Sequence, residues 1–493
     1  MSNIIVMPLI LPIVSAICLV FVKEHIRLQR IISSVTVVVV AVIALILLVV
    51  VQADGIMKVD FSGWLPPFGI LFVADSFAIL LVVMASIVTA ICLCFAFATI
   101  GESYEKMYVY PFILFLLAGV NGSFLTGDIF NLFVCFEVML LASYVLVSLG
   151  GKKNQLREAF KYVVINIVAS WLFLVALAYL YGTLKTLNMA HIAQRVAEAG
   201  QDPVLTTVAI LLLTVFALKA GLLLFFWLPG SYRTPPPAIQ ALFAALLTKV
   251  GIYALFRTFT LMFPINPDVT HTIIGVMAVL TIILGCMGAL AGKDVLQIAV
   301  YNVVIGVGFI LIGLATGTEA GFAGAVYYLL HDMIAKTLLF LLIGTMIIVT
   351  GETVVKNMSG LIRNYPLFGW IFFLVMLALA GIPPFSGFLG KVLIGQGTIE
   401  NGQYILLFVG FGSSVVVLYS LLRIFLASFF GETSINVEDK VRIPKRVYAS
   451  YIACAVVIVG LGIGAEGVIP YVTSAAKTMS NPAAYIEAVL GNE

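Results

Sequence analysis

Long apolar runs alternate with short polar breaks along the whole chain. A helix needs about 20 apolar residues to cross the hydrocarbon core of a bilayer, and fourteen runs reach or approach that length. They cover residues 4–22, 31–52, 70–99, 108–126, 128–149, 159–182, 205–229, 237–263, 271–291, 295–316, 322–350, 366–399, 403–430 and 446–470. The pattern therefore predicts an all-α, polytopic membrane protein with about fourteen transmembrane helices.

An internal repeat relates two groups of five predicted spans. The sequence Tyr253-Ala-Leu-Phe-Arg257-Thr-Phe259 resembles Tyr419-Ser-Leu-Leu-Arg423-Ile-Phe425, 166 residues later. The same offset pairs Ala159, Tyr162, Ala169 and Asp128 with Ala325, Tyr328, Ala335 and Asp294. Because five is odd, spans 4–8 and 9–13 would lie inverted in the membrane, which is a transporter architecture with sites near the midplane.

The repeat divides the chain into four segments. We predict helices 1–3 in residues 1–107, the first repeat in 108–263 and the second, inverted repeat in 271–430. Helix 14 and a C-terminal tail occupy residues 446–493.

Two of the predicted spans contain residues that interrupt helices. Span 7 ends in Trp227-Leu-Pro229-Gly230, and span 12 contains Gly381-Ile-Pro383-Pro384. Proline lacks the backbone donor and breaks or kinks a helix. A break at membrane depth is tolerated only where it faces protein or a wet cavity. We therefore predict broken helices 7 and 12, with breaks at Pro229, Gly381, Pro383 and Pro384.

Composition and charge narrow the class further. The chain is 62% hydrophobic and only 10% charged, which excludes an ordinary soluble protein and a nucleic-acid binder. Of its 26 lysines and arginines, 17 lie at the ends that face one side and 5 at the other. The positive-inside rule then predicts that both termini are outside. The six cysteines all lie inside apolar runs, and Cys92 and Cys94 lack the two-residue gap of a zinc or redox pair. The four histidines are dispersed, so we predict no cofactor and no metal site.

Several ionisable residues lie well inside predicted spans, where each charge is costly. A lysine at a helix centre costs roughly 2.5–3.5 kcal/mol on insertion scales. A sequence keeps such residues only where they pair, are hydrated or have a function. The residues are Glu137, Lys219, Lys249, His331, Asp332, Lys336 and Lys391.

Their positions suggest partners but leave alternatives open. Glu137 and Lys219 are natural counter-ions for proton transfer, although a pair that only fixes packing is the alternative. Lys249 has no acid on its own helix, so it must meet water or another helix, unless it snorkels to the interface.

The remaining ionisable residues allow structural and functional roles. His331 can be a proton relay or a satisfied core histidine. Asp332 can neutralise His331, or Lys336 four residues later. Lys391 follows the break in span 12, and Asp75 and Asp128 lie near span ends, where helix capping is as reasonable as function.

These motifs together resemble a known family, the antiporter-like subunits of respiratory complex I and the Mrp antiporters. The resemblance covers roughly spans 4–13. It rests on Asp128-Ile-Phe-Asn-Leu-Phe-Val-Cys-Phe-Glu137, Lys219 before Trp227-Leu-Pro229, Leu247-Thr-Lys249, His331 to Lys336 and Gly381-Ile-Pro-Pro-Phe-Ser-Gly-Phe388 before Lys391. The resemblance implies two half-channels joined at mid-membrane by the row Glu137, Lys219, Lys249, His331, Lys336 and Lys391, and assembly with other membrane subunits in a bacterial or archaeal plasma membrane.

Within the family, spans 5 and 8 are similar to the D-type members of Mrp antiporters. The largest members carry long C-terminal extensions, and this sequence stops about twenty residues after span 14, so we expect it to resemble neither of them. It also departs from many relatives, because no proline follows Lys219 closely and no histidine precedes Trp227-Leu-Pro229. Gly221 could supply the flexibility of span 7 instead.

The leading functional hypothesis is a membrane subunit of a Na⁺/H⁺ antiporter, a secondary transporter rather than an enzyme. Its partners would be other membrane subunits, the bilayer, protons and Na⁺, with no nucleic acid. The second hypothesis is a proton-pumping subunit of an NADH:quinone oxidoreductase or a hydrogenase-type complex. A passive scaffold is the third, and the costly lysine row argues against it.

Overall fold

The computed structural model describes residues 2–64, 68–200, 202–264, 267–433 and 441–491. The helices of the first half are α1 (Met7–Phe21), α2 (Ile26–Asp54), α3 (Ser76–Thr99), α4 (Glu102–Glu105), α5 (Val109–Leu125), α6 (Ile129–Ser148), α7 (Lys153–Leu184), α8 (Met189–Ala199), α9 (Pro203–Ala220), α10 (Leu228–Ser231) and α11 (Pro237–Phe256), which a π-helical turn, Arg257–Met262, continues. The second half contains α12 (Pro267–Ala291), α13 (Val295–Ala315), α14 (Glu319–Thr350), α15 (Leu361–Asn364), α16 (Pro366–Ala380), α17 (Gly387–Glu400), α18 (Tyr404–Phe429), α19 (Lys445–Ile463), α20 (Ala465–Ser480) and α21 (Ala483–Leu490). Short 3₁₀ turns cover Ser2–Val6, Phe61–Gly63 and Val355–Asn357, and two strands, β1 (Met57–Asp60) and β2 (Leu71–Ala74), pair antiparallel.

Twelve helices of the described ranges are long and apolar enough to cross a membrane. Val109–Leu125 and Pro366–Ala380 are apolar but shorter. The predicted helical, multi-pass membrane fold is confirmed, whereas the count of fourteen crossings stays a prediction.

Four helices form the centre of the bundle. Every residue of α11 except its first is buried, and α3, α13 and α14 are buried over most of their length. By contrast, α2, α7, α12 and α18 keep one apolar face exposed, as helices at a lipid boundary do. Lysines carried on α11 and α14 are therefore held away from lipid.

The predicted repeat has a counterpart in the hydrogen bonds. The amide of Ile129 donates to Leu187, and the amide of Val295 donates to Thr353, both at 2.9 Å. The residues of the second bond are those of the first shifted by 166. Helices α7 and α14 each contain 32 residues, and their limits differ by the same 166. These pairs support the repeat, which stays a prediction.

The start of the predicted third span is wrong. The expected helix begins at residue 70, but Leu71–Ala74 is a strand and α3 starts at Ser76. The carboxylate of Asp75 accepts from the amide of Ala78 at 2.9 Å and so caps α3. A short buried strand and a buried helical segment share one apolar pattern, which is why hydropathy merged them. This two-stranded sheet is a small addition to a helical fold.

The predicted fourteenth span and its tail also differ. Helix α19 ends at Ile463, and Pro470 lies inside a separate helix, α20. Residues 483–490 form α21, which folds back on the bundle: the Tyr485 ring lies 5.2 Å from the Arg257 guanidinium. Residues 492–493 of the predicted tail lie outside the described ranges.

Candidate functional site

Lys219 lies in the last turn of α9, one residue before the helix stops at Ala220. Gly221 ends the helix with φ +78°, a conformation that glycine adopts without strain. The break thus precedes Pro229, which the sequence predicted as the breaking residue. Pro229 instead lies in the first turn of α10, where a missing donor is harmless.

A serine hydroxyl stands between Glu137 and Lys219. Ser170 of α7 donates to Glu137 Oε1 at 2.5 Å and accepts from Lys219 Nζ at 3.3 Å. Lys219 is buried and its ammonium also lies 4.9 Å from the centre of the Phe136 ring. The predicted counter-ions therefore meet through a hydroxyl, and no salt bridge joins them directly in the described part of the chain.

Buried polar residues of α7 form a stripe that leads to Ser170. Gln155, Tyr162, Asn166 and Ser170 lie at spacings of seven and four residues, which share one helix face. The Tyr162 hydroxyl is 2.9 Å from Ser143 Oγ, and Asn166 Nδ2 donates to the Tyr162 carbonyl at 2.9 Å. The α7 polar stripe thus runs from the start of the helix to the Glu137–Ser170–Lys219 group.

Lys249 finds its counter-charge on α14. Its ammonium lies 2.6 Å from Asp332 Oδ2, and both side chains are 0% exposed. It also donates to the carbonyl of Ala244 at 2.8 Å. Lys336 Nζ is 3.7 Å from the other carboxylate oxygen. Asp332 therefore connects two of the predicted lysines, and its shorter contact is with Lys249 rather than with the residue four positions along its own helix.

His331 points to the break between α16 and α17. Its Nδ1 lies 2.7 Å from Ser386 Oγ, and its ring packs on Tyr328 with centroids 5.2 Å apart. A Cβ at Gly387 would lie 2.9 Å from His331 Nε2. Two adjacent residues on α14 therefore contact different parts of the site. Asp332 faces Lys249, and His331 faces the break.

Lys391 contacts the other end of that break. Helix α16 ends at Ala380 and α17 begins at Gly387, so Gly381, Pro383 and Pro384 lie in the unwound segment. Lys391 Nζ donates to the carbonyls of Leu379 and Ala380 at 3.0 and 2.8 Å, and to Ser414 Oγ at 2.8 Å. The last carbonyls of a helix have no intrahelical partner, and the ammonium satisfies two of them.

Asp75 and Asp128, which the sequence placed at span ends, are both helix caps. The Asp128 carboxylate accepts from the amide of Asn131 at 2.8 Å. Asp75 additionally binds Arg257 Nη2 at 2.5 Å. Neither contacts a residue of the predicted row among the described hydrogen bonds.

Sequence reasoning missed the three serines, Ser170, Ser386 and Ser414. Serine is common in membrane helices and carries no charge that draws attention. The spacing of polar residues along α7 could have indicated Ser170, because a polar stripe within an apolar helix requires a polar partner.

Comparison with known proteins adds the following. The family described as "NADH:quinone oxidoreductase/Mrp antiporter, TM" matches residues 126–417. The chain is 45% identical over 493 residues to the D component of the Na(+)/H(+) antiporter of Bacillus subtilis (strain 168), covering 99% of this chain and 100% of that protein. A chain in the structure of the Mrp complex from Dietzia sp. DQ12-45-1b matches with a TM-score of 0.92 at 28% identity, covering 100% of both chains. A chain of the membrane-bound sulfane sulfur reductase, an archaeal respiratory membrane complex, matches with a TM-score of 0.90 at 27% identity, covering 99% of this chain and 100% of that one.

Proposed function

Because the chain belongs to the NADH:quinone oxidoreductase/Mrp antiporter family and is 45% identical to the D component of a Na⁺/H⁺ antiporter over nearly its whole length, we propose that it is a proton-conducting subunit of such an antiporter. In this function it is a secondary transporter, driven by the proton gradient, and assembles with other membrane subunits. Both termini face the outside of a bacterial or archaeal plasma membrane, in keeping with the distribution of lysine and arginine.

The observation that carries this proposal is the Ser170 hydroxyl between Glu137 and Lys219. The hydroxyl can pass its proton to the carboxylate while it takes one from the ammonium. The products are a neutral acid and a neutral amine, so one transfer removes both charges. The attraction between the two side chains is then lost. Glu137, which is half-buried, is free to exchange its proton.

The Lys249–Asp332–Lys336 group carries the proton across the centre. One carboxylate cannot neutralise two ammonium groups, so the fully charged group holds one excess positive charge. Moving one proton onward removes that excess. Asp332 stays ionised between the two lysines and holds both within its reach, at 2.6 and 3.7 Å.

The row continues at the break of the twelfth predicted span. His331, which Ser386 orients, and Lys391 flank the unwound segment. Proton exchange between Lys219 and the inner side follows the α7 polar stripe, whose first residue, Gln155, donates to the carbonyl of Thr234 at 2.9 Å. That end of α7 lies on the predicted inner side.

The test is exchange in everted vesicles that contain the complete set of subunits. Adding Na⁺ to vesicles with a preformed pH gradient should collapse the gradient. Lys219→Ala should abolish the collapse, because the hydroxyl then has no proton donor. Fluorescence quenching of an acridine dye measures it.

The matched control is Lys153→Ala, which removes an exposed lysine at the start of α7 and should leave exchange unchanged. Both variants must assemble to the same extent, which native gel electrophoresis checks. Full exchange by an assembled Lys219→Ala complex would overturn the proposed role of the row.

A second candidate function is a proton-pumping subunit of a respiratory oxidoreductase. The likeness to a chain of an archaeal respiratory complex favours it. In that function, proton translocation would depend on NADH and quinone, and Na⁺ would have no effect on the pH gradient. Purification of the complex distinguishes the two, since flavin and iron–sulfur subunits would accompany the oxidoreductase.

A further inference from the structure

We infer that the oxygens around Lys391 form a monovalent-cation site that Na⁺ and the Lys391 ammonium occupy in turn. The inference rests on the proposed antiporter function and assigns Na⁺ a place on this chain. The site, named here the oxygen cup, consists of the carbonyl oxygens of Leu379 and Ala380 and the hydroxyl oxygen of Ser414.

The sequence itself frees these two carbonyls. In a continuous helix, the carbonyls of Leu379 and Ala380 would accept from the amides four residues later. Those positions are Pro383 and Pro384, which have no amide hydrogen. In the described hydrogen bonds, the donor that reaches both oxygens is Lys391 Nζ. The two prolines therefore end α16 and also create a pair of unsatisfied acceptors.

The cup is built to admit the lysine stem. Gly381 has φ +84°, and a Cβ there would lie 2.7 Å from Lys391 Cδ and 3.1 Å from its Nζ. A side chain at this position would displace the ammonium. Lys391 is buried, and the rings of Phe309 and Tyr328 lie 5.5 and 5.8 Å from Nζ.

The chemistry of the cup suits a hard cation. Backbone carbonyl and hydroxyl oxygens replace the hydration shell of alkali ions in channels, and the C-terminal ends of broken helices coordinate Na⁺ in transporters. Three oxygens lie within 3.0 Å of one point that already holds a positive charge. The aligned peptide dipoles of α16 add negative potential there.

The exchange balances in charge and in atoms. Lys391 releases one proton to the row and becomes a neutral amine, and one Na⁺ takes its place among the same oxygens. The reverse step expels Na⁺ when the amine is protonated again. The charged and titratable groups that act on this lysine are those of α14, namely His331, Asp332 and Lys336. A site with three protein oxygens holds one cation at a time, so binding of Na⁺ and of the proton is mutually exclusive.

The test alters one oxygen of the cup in the complete complex. Ser414→Ala removes the hydroxyl, Ser414→Thr keeps it, and Ser413→Ala is the matched control because that hydroxyl donates to the Gly410 carbonyl of its own helix. The NaCl concentration for half-maximal collapse of the pH gradient should rise about fivefold in Ser414→Ala, as the loss of about 1 kcal/mol predicts. It should stay within about twofold in the other two variants, since they lose no oxygen of the cup.

Competition gives a signature that a merely structural role of Ser414 would not produce. Equilibrium binding of radioactive Na⁺ to the purified complex should weaken as pH falls, and Lys391→Met should retain a Na⁺ that no longer responds to pH. Equal Na⁺ dependence of Ser414→Ala and Ser413→Ala would overturn the cup. Retained exchange in Lys219→Ala would instead overturn the proposed function, so the two failures are distinct.

Discussion

Two groups in this molecule each combine a carboxylate with lysine side chains, but the contacts within the two groups differ. Glu137 and Lys219 meet through the Ser170 hydroxyl, and Glu137 is only half-buried. Lys249 and Asp332 touch directly at 2.6 Å and are fully buried. Glu137 of the first group reaches a partly exposed face, whereas protein encloses the side chains of the second group.

The difference teaches which group can rearrange when a proton moves. Removing one partner of a buried pair leaves an uncompensated charge, which is strongly destabilising. When Glu137 or Lys219 becomes neutral, the hydroxyl between them can still donate and accept hydrogen bonds, so little free energy is lost. We therefore expect the Glu137–Ser170–Lys219 group to switch and the Lys249–Asp332–Lys336 group to keep a fixed arrangement.

The largest effect should follow Asp332→Asn. The change leaves Lys249 and Lys336 facing each other without a carboxylate, at a cost of about 3–5 kcal/mol. The purified complex should melt at a clearly lower temperature, and exchange should be lost. Thermal unfolding monitored by size-exclusion fluorescence measures the first, and vesicle assays measure the second.

The control for that change is Asp268→Asn, an exposed carboxylate in the first turn of α12. It should leave the melting temperature unchanged. An Asp332→Asn complex as stable as this control would show that the buried group rearranges freely, and the contrast between the two groups would disappear.

A smaller effect should follow Ser170→Ala. Without the hydroxyl, Glu137 and Lys219 lose their bridge, and exchange should slow about fivefold, as expected from roughly 1 kcal/mol. The melting temperature should fall less than in Asp332→Asn, because Glu137 and Lys219 keep opposite charges and the neighbouring apolar packing remains. Ser170→Thr keeps the hydroxyl and should restore most of the rate. A rate of Ser170→Ala equal to that of the unaltered complex would mean that the two groups transfer protons by another route.

The smallest effect should follow Ser386→Ala. This hydroxyl orients His331 at 2.7 Å but carries no proton between charged groups. Exchange should slow about twofold to threefold, within the range of one neutral hydrogen bond. The matched control is Ser123→Ala, whose buried hydroxyl donates to the Gly119 carbonyl of its own helix. A loss as large as that of Ser170→Ala would place His331 with the switching group.

Much of the fold followed from hydropathy, because each span must be apolar over a fixed length. The family resemblance read from the motifs around Glu137, Lys249 and Lys391 is confirmed by the match over residues 126–417. Hydropathy failed where one apolar run contains two separate elements. Leu71–Ala74 pairs with β1, and Ala465–Ser480 forms a helix of its own.

The sequence indicated the charged residues of the site but not the contacts between them. A lone acid or base in an apolar helix is visible in the sequence, as Glu137 and Lys219 are, and their role in proton transfer stays a prediction. The partner of Lys249 could not be found, since Asp332 is 83 positions away and only the packing of α11 on α14 brings them together. Ser170 was missed for a related reason, because its role depends on which two helices flank it.

The fixed spacing of the α7 polar stripe limits how the length of this helix can vary. Each residue of an α-helix turns the next by about 100°, so one residue inserted between Tyr162 and Ser170 would rotate the hydroxyl away from Glu137. The hydropathy of α7 would hardly change, and backbone bonds such as that of Ile129 with Leu187 prevent the far end from sliding to compensate. Insertions and deletions in α7 should therefore be far less tolerated than substitutions on its exposed face.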